Sequence, residues 1–258
     1  MGYETIRFTI EGGVATITLD RPEVRNGLNA AMRREILAAT GEAAARARVL
    51  VLTGAGRGFC SGQDLDPAQV GDDIDLAGIL RDEYEPMLRA ITDCPIPTLA
   101  AVNGAAAGAG ANLALACDVV IAARSAVFIQ AFARIGLIPD AGGTYWLPRQ
   151  IGFARAMGAA LFAEPVTAEE AARWGMIWQA VPDEELAATV AARAGQLARG
   201  PAVAYRLIKQ ALRASLGNGL PEQLALEAEL QGEAGRSRDF REGVMAFIEK
   251  RPARYEGR

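Results

Sequence analysis

Two stretches of this chain share one layout, and that layout restricts its possible folds more than any other feature. VLVLTGAGRGFCSG, beginning at Val49, and TLAAVNGAAAGAGA, beginning at Thr98, each run from a short apolar strand into a glycine-rich turn. Strands that are apolar on both faces are buried between layers, as in a parallel sheet covered by helices. The repetition reads as successive turns of one α/β core, each exposing backbone N–H groups near its strand's end.

The flanking sequence fits that reading. Tyr3 to Ile10 and Val14 to Leu19 are β-rich runs around Glu11-Gly12-Gly13, a hairpin signal. Asn29 is placed to cap a helix whose Met32, Ile36, Ala39, Ala43 and Ala47 recur on one face. Pro67 to Asp75 reads as a polar mobile loop, and Leu76 to Ile91 as a helix disturbed at Pro86. After the strand at Thr98 to Val102, a helix is expected from Gly108 to Ala116, then strands at Asp118 to Ala123 and Val127 to Gln130. Thr167-Ala-Glu-Glu170 is a capping-box pattern, and Met176 to Val181 reads as a last strand. From Asp183 onward only helical patterns remain, over 184–199, 202–216, 222–234 and 238–251. The periodicity change near Gly200-Pro201 divides the chain into a core, residues 1–200, and a helical section, residues 201–258, expected to pack on the core and on neighbouring subunits.

Composition removes several classes of chemistry. The chain has no histidine, so serine-histidine and cysteine-histidine triads and histidine metal sites are excluded, and no metal site is expected. An acid or base at neutral pH is then a carboxylate, Tyr, Lys, Cys or bound water. Cys60, Cys94 and Cys117 lack the close pairing of a zinc or redox motif and read as reduced thiols in packing positions. A net charge of −4 gives no basic field for nucleic acid or anionic membranes. Leu99 to Ala123 is apolar enough to suggest a membrane helix, but Asp118, Asn103, Asn112 and the glycines mark buried core instead. No secretory or transit signal is visible at the N-terminus, so the expected location is the cytoplasm.

The chemistry is expected between Leu99 and Leu147, where a helix N-terminus offers unpaired N–H groups and Asp140 lies on a downstream turn. An anion site followed by a base suits enolate formation. Gly54, Gly56 and Gly58 do not match the dinucleotide spacing G-x-G-x-x-G, so that loop is not a Rossmann fingerprint.

RGFCSGQDL, AAVNGAAAGAGANLALACDVVIAARSAVF and IGLIPDAGGT resemble, in order and spacing, the enoyl-CoA hydratase/isomerase, or crotonase, superfamily over essentially the whole chain. Within it, GLIPDAGGT, WGMIWQ and GRSRDFREGVMAFIEKR are similar to the branch that isomerises ring-1,2-epoxyphenylacetyl-CoA in phenylacetate catabolism. The resemblance implies a spiral of ββα turns, a homotrimer or a hexamer built as a dimer of trimers, and an acyl-CoA thioester substrate with no separate cofactor. It assigns the oxyanion-hole donors to the backbone amides of Gln63 and Ala109, and their side chains are accordingly expected to vary freely. It lays the CoA moiety along Arg25 and Ser61, Gly62, Asp64 and Leu65, with Lys250 or Arg251 reaching the phosphates; a solvated basic helix end is the alternative for that pair.

The departures from the family pattern are informative. The positions of the two hydratase glutamates fall here on Asn112 and Phe132. Hydration needs a base for water and an acid for the proton, so their loss disfavours it. Asp140 remains, at a position where related isomerases place a proton carrier and a dehalogenase branch a nucleophile. Asp-Ala-Gly-Gly equally suits a turn aspartate capping the next helix. Asn112, Phe132 and Tyr145 are expected to line the acyl pocket, with Trp146, or else to be structural. The resulting expectation is an acyl-CoA isomerase with Asp140 as proton carrier. A hydrolase or dehalogenase using Asp140 as nucleophile, and a non-catalytic CoA-ester-binding protein, are the alternatives.

Overall fold

A computed structural model describes residues 2–64 and 74–257. The chain opens with a hairpin of β1 (Ile6–Glu11) and β2 (Val14–Leu19), antiparallel in register about Gly12-Gly13. Helix α1 (Ala30–Arg46) starts at Asn29, whose side chain accepts the Met32 N–H at 2.8 Å. Its buried face carries Met32, Ile36, Ala39 and Ala43.

There follow β3 (Val49–Gly54), β4 (Gly58–Cys60), the short α2 (Leu76–Ile79), a π-helical turn over Leu80–Tyr84, and α3 (Glu85–Thr92). Pro86 lies inside this continuous helical run, just after the π-helical turn, where its missing N–H and its ring disturb the regular i→i−4 ladder as the sequence leads one to expect. Next come β5 (Thr98–Val102), β6 (Ala105–Ala107), α4 (Ala109–Leu115), β7 (Val119–Ala123) and β8 (Val127–Ile129). Helices α5 (Gly143–Ile151) and α6 (Phe153–Phe162) precede β9 (Val166–Thr167), α7 (Ala168–Trp174) and β10 (Gln179–Val181). The chain ends in α8 (Leu186–Ala198), α9 (Ala202–Ala214), α10 (Leu220–Gly235) and α11 (Arg238–Ile248).

The strands form two sheets, ordered β1-β2-β3-β5-β7-β10 and β4-β6-β8-β9. In the first, β2, β3, β5, β7 and β10 are parallel; in the second, β4, β6 and β8 are parallel. Each strand–glycine–strand unit therefore places one strand in each sheet, and β3-β4, β5-β6 and β7-β8 are successive turns of one spiral. From the sequence, the ends of the first two units read as plain glycine loops. They contain β4 and β6, whose Gly and Ala residues have weak strand propensity and are held by pairing with each other.

The last helices are tied to the core by polar staples. Asp118 accepts the Thr98 N–H at 2.8 Å and pairs with Lys209 at 2.6 Å and Arg213 at 2.7 Å, both from α9. Asp239 on α11, 2 % exposed, accepts the N–H groups of Glu256 and Gly257 in the C-terminal tail, and the tail is joined to the core where Glu256 O accepts from Arg48 Nη1 at 3.0 Å. Asp118→Ala leaves two cations half-buried with no counterion, and is expected to cost about 3 kcal/mol in urea unfolding, with α9 the first region to lose amide protection. Large apolar side chains nevertheless remain exposed on these helices and on α6, among them Phe153 at 72 %, Phe162 at 73 %, Leu220 at 71 % and Phe247 at 85 %. Among the described residues, no helix is long and apolar enough to cross a membrane.

Candidate active site

The first two spiral turns bring their glycine loops side by side. Leu28 and Gln63 form an isolated parallel bridge, in which the Leu28 N–H donates to Gly62 O at 2.7 Å and Leu28 O accepts the Asp64 N–H at 3.2 Å. In that pairing the flanking peptides face Leu28, so the Gln63 N–H points the opposite way. Ala109 opens α4, so its N–H has no partner within the helix. Among the described residues neither amide has an acceptor in the chain. Gly62 makes the approach possible: with φ +92°, a Cβ there would lie 2.8 Å from Ala107 O and 3.3 Å from Ala109 N.

Both amides border a cavity of about 530 Å³ lined also by Ser61, Leu80, Tyr84, Phe132, Ile138 and Asp140. Asp140 is the one carboxylate among its described lining residues. A second cavity, of about 730 Å³, shares Leu80, Tyr84, Ile138 and Asp140 with the first and is lined also by Leu88, Tyr145, Trp146, Arg213 and Leu216. Asp140 and Tyr84 thus border both cavities.

Asp140 is held by its backbone rather than by its carboxylate. Its carbonyl oxygen accepts the Gly143 N–H at 2.8 Å and Asn112 Nδ2 at 2.7 Å. Ala141, next in the chain, is in the left-handed region at φ 48°, so a strained turn presents the aspartate. Helix α5 starts after Gly142, and among the described residues no hydrogen bond joins the Asp140 carboxylate to its first turn, so the carboxylate does not serve as its cap. Oδ1 is buried and has no hydrogen-bond partner among the described residues. Burial without a compensating cation raises the carboxyl pKa to about 6.

The structure brings Gln63, Ala109, Phe132 and Asp140 to one chamber and places Tyr145 and Trp146 on the other. Asn112 lines neither, contrary to its expected place in the acyl pocket. It is fully buried, giving Nδ2 to Asp140 O and accepting Gln130 Nε2 at 2.9 Å, so its amide is used up as a tie. Arg25, Ser61, Gly62 and Asp64 lie close together: the Ser61 N–H donates to Arg25 O at 3.0 Å. Asp64 is paired with Arg21 at 2.7 Å. Leu65 and most of the Pro67 to Asp75 loop lie outside the described residues. Lys250 is exposed in the turn after α11 and lines neither chamber, and Arg251 is engaged by Glu242 and Glu249. The three cysteines are free and buried, and burial pushes the Cys60 and Cys117 thiols up to about 12, which suits packing.

Sequence reasoning missed Tyr84 and Arg33. Tyr84 donates its hydroxyl to Gln63 Oε1 at 2.6 Å, and Arg33 Nη1 donates to the same oxygen at 2.8 Å. The Gln63 side chain is therefore engaged in a contact that the use of its backbone alone does not call for. Both residues read as amphipathic-helix positions in the sequence, and nothing in local spacing signals their meeting.

A family model described as enoyl-CoA hydratase/isomerase matches residues 9–258. The chain belongs to the enoyl-CoA hydratase/isomerase family. It is 65 % identical to a Rhodobacter capsulatus protein named "Probable enoyl-CoA hydratase", over the full length of both. It is 48 % identical, over 99 % of each chain, to the 1,2-epoxyphenylacetyl-CoA isomerase of Escherichia coli. The crystal structure of an enoyl-CoA hydratase from Bacillus anthracis superposes with a TM-score of 0.91 at 32 % identity, covering 99 % of this chain and all of that one. The two-sheet spiral is accordingly the crotonase fold, and family membership makes the two-chambered site the place to look for thioester chemistry.

Proposed function

We propose that this crotonase-fold enzyme is an acyl-CoA isomerase that moves a double bond, with ring-1,2-epoxyphenylacetyl-CoA, converted to its oxepin isomer, or a 3-enoyl-CoA as substrate. The carrying observation is that one unpaired carboxylate, Asp140, shares a chamber with two unpaired backbone amides. Removing a proton beside a thioester moves charge onto its oxygen, and the Gln63 and Ala109 N–H groups receive it. Each such donor is worth about 2.7 to 4 kcal/mol in the transition state. For the ring epoxide, the bond between the two epoxide carbons breaks as the arene oxide opens to the oxepin, and Asp140 takes the proton from the carbon beside the thioester and returns it to a ring carbon; for a 3-enoyl ester it moves the proton from C2 to C4. No cofactor takes part, CoA being carried by the substrate itself.

Hydration would need a second acid or base, and Phe132 and the tied Asn112 supply none. Tyr145 and Trp146, on the larger cavity that Asp140 also borders, offer aromatic walls to the acyl group. The relative named an isomerase supports this reading, while the name of the 65 % relative points to hydratase activity, which makes a product assay decisive. The exposed apolar faces of α6, α10 and α11 support assembly into a homotrimer or a dimer of trimers.

A mass-spectrometric screen of CoA esters separates the possibilities. Isomerisation leaves mass unchanged and shifts retention, hydration adds the mass of water, and hydrolysis releases free CoA; a product heavier by water as the main outcome would overturn the proposal. Asp140 must be ionised to accept the proton, so kcat/KM should fall as pH drops through about 6.

A further inference from the structure

The side-chain cluster behind the oxyanion loop has no part in proton transfer, yet it holds a buried charge. Arg33 is 3 % exposed. Its Nε and Nη2 donate to Glu83 Oε2 at 3.0 and 2.7 Å, and its Nη1 donates both to Leu28 O and to Gln63 Oε1 at 2.8 Å. Its guanidinium carbon lies 4.8 Å from the centroid of the Tyr84 ring, whose hydroxyl donates to the same Gln63 oxygen. Three elements converge there: α1 through Arg33, the π-helical turn through Glu83 and Tyr84, and the loop after β4 through Gln63.

A buried guanidinium is costly to desolvate and is retained only where its donors are satisfied. Here they grip both sides of one peptide. Arg33 braces Leu28, which pairs with Gly62 O and the Asp64 N–H, and it also fixes the Gln63 side chain. The peptide between those anchor points is the one whose N–H faces the chamber.

We propose that Arg33 and Tyr84 clamp the Gln63 side chain and so fix the direction in which the Gln63 N–H meets the thioester oxygen. Arg33 is thereby a positioning residue for the reaction, with Glu83 as its holder. The clamp rests on the oxyanion reading of Gln63 given above. Oxyanion donors act only when aimed at the place the charge will occupy, so a loosened loop lowers transition-state stabilisation more than ground-state binding.

The test uses the full-length protein with a saturated, unreactive acyl-CoA labelled at its thioester carbonyl, read by infrared spectroscopy. Donors on that oxygen lower the carbonyl stretch of the bound ester below its value in water. Arg33→Met with Glu83→Gln removes the buried pair together, leaving no lone charge, and Tyr84→Phe removes only a hydroxyl. In both, the lowering should shrink and kcat should fall about tenfold or more, while the dissociation constant of the unreactive ester changes less than about threefold. If the double variant does not fold, Tyr84→Phe decides alone. A wild-type band and wild-type kcat in the folded variants would overturn the clamp while leaving the oxyanion reading intact. A wild-type complex with its carbonyl at the water frequency would overturn that reading, and the clamp with it.

Discussion

Asp140→Asn is expected to lower isomerase turnover about a thousandfold while leaving acyl-CoA binding nearly unchanged. The substitution keeps the shape of the side chain and removes its capacity to carry a proton. The main-chain bonds from Gly143 and Asn112 that set the turn do not involve the side chain, so the loop survives. Stability changes in the opposite direction to activity. Burial raises the folded-state pKa to about 6 from an ordinary 3.8, so the folded state binds this proton more tightly than the unfolded chain. The stability associated with that proton is present below the ordinary value and is lost as pH rises through about 6. A neutral asparagine does not ionise there, and the variant should match or exceed wild type in chemical denaturation at pH 7 and lose the advantage at pH 4. Near-normal turnover would remove Asp140 from the mechanism.

The parts of this picture that are local in sequence were legible in it. The hairpin at Gly12-Gly13, the Asn29 cap and the Thr167–Glu170 capping box all appear where residue chemistry placed them, because each depends on neighbours within a few positions. The strand of β10 is shorter than the expected Met176 to Val181, beginning only at Gln179. A helix after Asp140-Ala-Gly-Gly is anticipated, but the extent of α5 and the existence of α6 are not legible: Pro148 lies within the first, and the second is apolar almost throughout, which hides its periodicity. At the site, motif order pointed to Gln63, Ala109 and Asp140. It could not reveal the clamp, because Arg33, Gln63 and Glu83 are 30 and 50 residues apart and meet only through the spiral. Nor could it show that Asn112 spends its amide on Asp140 O and Gln130; an asparagine near a helix start carries the same letters whether it faces a ligand or the core.

Gly62→Ala tests the geometry on which both amides depend, and the expected loss of kcat/KM is about a hundredfold or more. At φ +92° an alanine is strained by the backbone alone. Its Cβ would also stand 2.8 Å from the Ala107 carbonyl oxygen, a backbone atom that can yield only by moving β6 and the start of α4. Because Ala109 N is 3.3 Å from the same point, the displacement separates the two oxyanion donors instead of spreading harmlessly into solvent. Strain and crowding together should cost about 2 to 3 kcal/mol in denaturant unfolding. Gly12→Ala provides the comparison: it sits at φ +57° with nothing within 4 Å of a Cβ, so it carries the strain without the crowding. That variant should lose about 1 kcal/mol of stability and none of its activity. If Gly62→Ala proved no more harmful to catalysis than Gly12→Ala, the close approach of the loops after β4 and β6 would not be what aims the amides, and the two-donor site would have to be abandoned.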